Sequence, residues 1–214
     1  MSLRGRLLDQ ALPSLFALVL SACSGVPRIG EPGPTVRSAS AENEYQATLE
    51  RYSDHAEIYE MFNTRLFTAM TYQSWRFREA RVQRVALFQD LPKDVVENNL
   101  AAERAAFESF HEFFFGVHAA SYRFDDFDRK DSIWRIALVT ESGETTPASV
   151  ERIGRSNLNL RAIYPYLGDF WVAYRIRFPR ATPSGAPTIP PGTNHFMLRL
   201  ASTLGRAELH FPAE

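Results

Sequence analysis

The chain has a single cysteine, Cys23, and only two lysines, Lys93 and Lys130, among its 24 cationic side chains. One thiol forms no internal disulfide and no thiolate metal cluster, so the fold has to be held by packing. Acidic residues number 25, for a net charge of −1, and so balanced a chain argues against nucleic acid as a partner. No apolar run reaches the roughly 20 residues that cross a membrane as a helix. The best candidate, residues 11–20, is broken by Pro13 and Ser14.

Catalytic and phosphate-binding motifs are missing too. No glycine loop for a phosphate occurs, and Gly154-Arg155-Ser156-Asn157-Leu158 has leucine where a nucleophile elbow needs glycine. His111-Glu112 begins a zinc-protease HExxH pattern, but Phe115 stands where the second histidine belongs. Glu108 and His111 have the spacing of a di-iron helix, with no second Glu-x-x-His to complete it. The acidic run Asp125–Asp131 fails the calcium-loop positions and reads as a solvated loop whose acids pair with Arg129 and Lys130. His195 and His210 read as surface histidines. No metal and no cofactor is expected.

What is present begins at the amino end. A short basic head, Arg4 and Arg6, precedes the apolar stretch, and small residues Ser21 and Ala22 precede Cys23; this is the layout of a secretory signal. Leu20-Ser21-Ala22-Cys23 resembles the lipobox of bacterial lipoproteins. The resemblance implies cleavage before Cys23, diacylglycerol on its thiol and acylation of the new amino terminus, which makes the membrane a partner through the lipid anchor. Ser24 at the next position points to the outer membrane of a Gram-negative cell. Asp9 is an irregularity, an acid before the apolar stretch.

Residues 24–42, rich in Pro, Gly and Ser, read as a flexible tether with an end-to-end distance on the order of 25 Å. Tyr45, Leu49, Tyr52, Ala56, Tyr59, Phe62, Leu66 and Met70 then recur at steps of three and four, which predicts one or two amphipathic helices from about 44 to 88. Asp90 is placed as the N-cap of another helix, and the helical region is bounded at 43–111. Beyond it, Phe113 to Ala119, Trp134 to Leu138 and Phe170 to Phe178 alternate with a period of two. A return strand near 146–153 is expected after the turn at 141–144, with Pro147 marking an edge.

The last hairpin can be registered from charge. Setting Arg199 opposite Glu208, rather than opposite Arg206, aligns Phe196, Leu198 and Leu200 with Phe211, Leu209 and Ala207 on one face. The fold class predicted is therefore α+β, an N-terminal helical hairpin followed by a small antiparallel β-sandwich at 112–214.

The densest cationic cluster is Arg76, Arg78, Arg81 and Arg84, on one broad side of a helix. It is the candidate surface for phospholipid or an acidic partner, although arginines near a helix end also complement its dipole. An anchored chain without a catalytic constellation reads as an accessory subunit of an envelope assembly with a protein partner. The alternative is a carrier of lipid or another small hydrophobic ligand, with the phenylalanines at 107–115 lining a cavity. A third reading is an enzyme whose site gathers distant residues such as His118, Asp169 and His195.

Overall fold

The computed structural model describes residues 39–60 and 63–214. The signal segment, Cys23 and most of the tether lie outside the described residues. The class is α+β, with mainly antiparallel strands interleaved with helices.

Helix α1 (Ala39–Arg51) begins inside the segment read as tether. It is followed by an antiparallel hairpin, β1 (Ser53–Glu60) and β2 (Asn63–Tyr72), where the periodicity predicts helix. Helices α2 (Trp75–Gln89) and α3 (Lys93–Ser109) come next. The expected division into a helical region at 43–111 and a β region beyond it is thus corrected. Strand β3 (Phe110–Ala119) pairs directly with β2, so the early hairpin belongs to the same sheet as the later strands.

Asp90 also has a different role from the one expected. It terminates α2 in the left-handed conformation at φ 49°, while Pro92 caps α3. At the other end of α2, the Ser74 hydroxyl accepts from the Phe77 N–H at 3.1 Å. The Glu214 carboxylate accepts from the Trp75 and Arg76 N–H groups at 2.8 and 2.9 Å. Three of the four N–H groups that a helix start leaves unpaired are therefore satisfied.

The remaining strands are β4 (Arg135–Thr140), β5 (Gly143–Thr145), β6 (Ser149–Arg155), β7 (Val172–Pro179), β8 (His195–Ser202) and β9 (Gly205–Pro212), with a short helix α4 (Leu158–Ile163) after β6. One sheet has five strands in the order β1-β2-β3-β7-β6, and the other has four in the order β5-β4-β8-β9. The return from the 141–144 turn is split: β5 pairs with β4, and β6 crosses to the edge of the larger sheet beside β7. Pro147 falls at that crossing, where no ladder N–H is required. Strand β6 carries a bulge between Arg152 and Gly154, with Gly154 at φ 133° and Ile153 exposed.

The charge-based register of the last hairpin is the observed one. Phe196 faces Phe211, Leu198 faces Leu209, and Arg199 faces Glu208 with a 3.2 Å ion pair. Pairing runs on to Ser202 and Gly205, so Thr203 and Leu204 alone make the turn.

The facing sides of the two sheets share an aromatic core. Phe113 lies 5.3 Å from Phe211 and 6.0 Å from Phe196, and Tyr72 lies 5.2 Å from Phe196, all in edge-on geometries that aromatic rings favour. The opposite side of the larger sheet is covered by α1, α2 and residues 156–171. Phe114 stacks on Tyr164 at 3.6 Å, Phe77 of α2 reaches Tyr164, and Tyr45 of α1 reaches Phe77. At the sheet edge, the Asp54 carboxylate of β1 accepts the His210 N–H of β9 at 2.7 Å, which ties the two sheets together.

His111 is buried in this core and shares a 3.1 Å hydrogen bond with the Tyr72 hydroxyl. Burial, and then the nearby Arg180, lower its pKa to about 3. Below the unfolded value of about 6.5, the unfolded chain takes up a proton that the folded imidazole refuses, so stability is full above that pH and falls by ~1.4 kcal/mol per unit as pH drops toward 3. Urea unfolding from pH 7 to 4 should show this slope, and His111→Gln should flatten it.

Candidate functional site

The four arginines of the cationic cluster do not form an open basic face. Only Arg76 is exposed. Arg78 is 2% exposed and lies between two carboxylates: it pairs with Glu103 of α3, its Nη2 stands 3.5 Å from Glu112 of β3, and its Nε donates to the Gln73 carbonyl at 2.9 Å. Arg81 pairs with the other oxygen of Glu103 at 2.6 Å and reaches Gln73 and the Tyr164 hydroxyl. Arg84 grips the buried Glu42 of α1 with two hydrogen bonds of 2.7 and 2.9 Å. The reason is geometric: α2 is covered by α1, α3 and the sheet, so the side that a helical wheel marks as basic faces carboxylates rather than solvent. A cleft of about 390 Å³ beside Arg81, Glu103, Glu112 and Arg175 is lined by charges that already neutralise one another.

The other sequence candidates are scattered. Glu108 is exposed and pairs with Arg104, while His111 points into the core. Asp125 and Asp128 pair with Arg152 across the chain, not with Arg129 or Lys130, and the buried Asp126 accepts from the Ser132 hydroxyl and the Ile133 N–H. His195 and His210 are exposed and sit diagonally on β8 and β9. His118 of β3 packs beside Phe67 of β2, and Asp169 pairs with Arg161, on separate elements from His195. Among the described residues no group of three or more metal-ligating side chains converges. Phe113, Phe114 and Phe115 are packed in the core, where they fill space.

A different cavity lies on the helix-covered side of the larger sheet. It is an open cleft of about 570 Å³ at the edge formed by the β1–β2 hairpin. Its floor is Ser53 and His55 of β1 with Phe67 and Ala69 of β2, and Glu57 of β1 is exposed at its mouth; one wall is Gln46, Leu49 and Glu50 of α1, and the other is Pro165, Tyr166 and Trp171. The hydroxyls at the floor satisfy one another, because Ser53 bonds Thr71 at 2.7 Å and Thr71 bonds Tyr166 at 2.8 Å. Burial holds the Tyr166 phenol well above its ordinary pKa, so it stays neutral. What remains facing the space is largely apolar.

The second wall depends on Gly116 of β3. A Cβ there would come within 2.4 Å of the Leu167 side chain and 3.2 Å of the Trp171 ring, so the absent side chain is what lets this wall lie against the sheet. The wall's own fold has local signals that the strand and helix periodicities pass over. Asn157 caps α4 by accepting the Leu160 N–H at 3.0 Å, and Pro165 and Gly168 follow it.

Among the described residues no helix is long and apolar enough to cross a membrane. Comparison with protein-family models, curated proteins and solved structures gives no match.

The charge seam yields a direct expectation. Replacing Arg78 by Ala leaves Glu103 and Glu112 without their buried partner and should cost ~3–5 kcal/mol in urea unfolding. Arg76→Ala, at an exposed position, should change stability by no more than ~0.5 kcal/mol.

Proposed function

We propose that this chain is a non-catalytic, lipid-anchored protein of a bacterial envelope, a helical hairpin set beside a β-sandwich, that carries a small hydrophobic ligand in the cleft between α1, the β1–β2 hairpin and residues 165–171. The observation that carries the reading is the contrast between a filled core and an open apolar cleft of about 570 Å³, within the roughly 300–1,000 Å³ of small-molecule sites. Cys23 supplies the anchor in this reading, and the outer membrane is the destination that Ser24 suggests.

The accessory-subunit reading is favoured by a separate observation. Leu158 and Phe170 are 76% and 83% exposed, and the Ser156 N–H to Trp171 carbonyl hydrogen bond of 2.8 Å brings their segments side by side. Large exposed apolar side chains of this kind are material for a protein interface.

The cleft is tested with N-phenyl-1-naphthylamine, a neutral apolar dye. Saturable binding by the full chain is expected, and Ala69→Leu, which adds bulk to the floor, should weaken it at least about tenfold with an unchanged circular-dichroism spectrum. Absence of saturable binding removes the carrier reading.

Cys23→Ser tests the anchor. The native protein should sediment with membranes and gain the mass of its acyl chains, and the variant should do neither. Crosslinking in intact cells separates the two functional readings, because one defined protein captured by the native form and lost from the variant supports the accessory subunit.

A further inference from the structure

The polar groups around the cleft bear on what it holds. Three carboxylates line it, Glu50, Asp54 and Glu57, and among the described residues no lysine or arginine does. Asp54 is occupied by the N–H groups of His55 and His210, at 2.8 and 2.7 Å, and Glu57 accepts from the Tyr59 hydroxyl. Glu50 and Glu57 are exposed at the mouth, on α1 and on β1 respectively.

On the inner wall Gln46 is 7% exposed, its Nε2 donates to Glu42 at 3.2 Å, and its Oε1 is closed off from the space. Glu42 is held in turn by Arg84, so the polar groups of this wall face inward. The charge a ligand in the cleft can meet is therefore the negative charge of the mouth.

Resting on the carrier reading above, we propose that the ligand is a cationic amphiphile, an apolar body bearing a protonated amine, seated with its hydrocarbon between Phe67 and Trp171 and its ammonium toward Glu50 and Glu57. The amine supplies what the mouth lacks, positive charge carried on N–H donors that two exposed carboxylates can accept. A fatty acid or an anionic phospholipid would bring its charge against two carboxylates, with no lysine or arginine among the described lining residues to receive it. An alcohol of the same length gains the apolar contact alone.

The test displaces the dye from the full chain carrying Cys23→Ser, with dodecylammonium, dodecanol and dodecanoate below their micelle concentrations. It is run at about pH 8, where ordinary imidazoles are neutral and alkylamines are charged. Dodecylammonium should displace the dye at least about tenfold more effectively than dodecanoate, with dodecanol between them. Glu50→Gln combined with Glu57→Gln should bring the three to within about twofold of one another, each displacement being read against the variant's own dye affinity. Equal displacement by all three in the native sequence, or a preference for dodecanoate, overturns the amine assignment and leaves the carrier reading standing. Failure of the dye to bind at all overturns the carrier reading and the amine assignment with it.

Discussion

The guanidinium of Arg78 is the interaction on which the helical layer depends. A cation almost fully removed from water is tolerated only where its charge is met, and here Glu103 on α3 and Glu112 on β3 meet it, while Nε donates to the Gln73 carbonyl just before α2 and Nη2, 3.5 Å from Glu112, has no hydrogen bond among the described residues. Glu112 also receives Arg177 at 2.9 Å, and Arg177 reaches on to Glu151 of β6 at 3.0 Å. A line of alternating charge therefore runs from α3 through α2 and across three strands of the larger sheet. Arginine suits such a line because its planar fork can hold several acceptors at once, and a lysine at 78 would meet one or two of them as a point charge. Helix α3 has no fully buried residue, so this ionic seam contributes much of what fixes its place.

Around that seam the apolar material is divided between two layers. The space between the sheets is closed by Phe113, Phe178, Phe196 and Phe211, and the space between the larger sheet and the helices by Tyr45, Phe77, Phe114 and Tyr164. Aromatic rings fill large volumes with few rotatable bonds, which suits a chain without disulfides in its described core. The helical cover ends before it reaches the β1–β2 edge. Beyond Leu49 the chain turns away into β1, and the wall at residues 165–171 stands on the far side, so the cleft is the uncovered remainder of a sheet face.

The parts of the fold legible in the sequence were those in which one physical pattern has a single solution. The β8–β9 register follows from Arg199 and Glu208, since a slip places like charges together and turns Leu198 and Leu209 outward. The β1–β2 hairpin was hidden because a step of four residues belongs to both periods: Tyr52, Ala56, Leu66 and Met70 fit a helical face and equally one side of a strand. The three threonines of "NTRLFTAMTY" are the signal that separates the two, as β-branched residues favour the extended chain. The arginine cluster was legible as a cluster, but its partners Glu42, Glu103 and Glu112 come from distant sequence, and a helical wheel carries no record of which side is covered. The cleft was illegible for the same reason, being made where α1, the early hairpin and a late loop meet.

The bulge in β6 bears on how this molecule tolerates crowding. A sheet with a long, flat, unpaired margin can accept a strand from a neighbouring molecule and grow into an aggregate. Here β1 and β9, one margin of each sheet, meet through the contact of Asp54 with His210, and the other margin of the smaller sheet is the three-residue β5. The remaining margin is β6, where the extra residue Ile153 breaks the ladder spacing and Glu151, Arg152 and Arg155 place charge along the outer line. An incoming strand would find its hydrogen-bonding groups out of step after a few residues. A protein so rich in phenylalanine keeps its sheets from templating one another by leaving each margin covered, short or bulged.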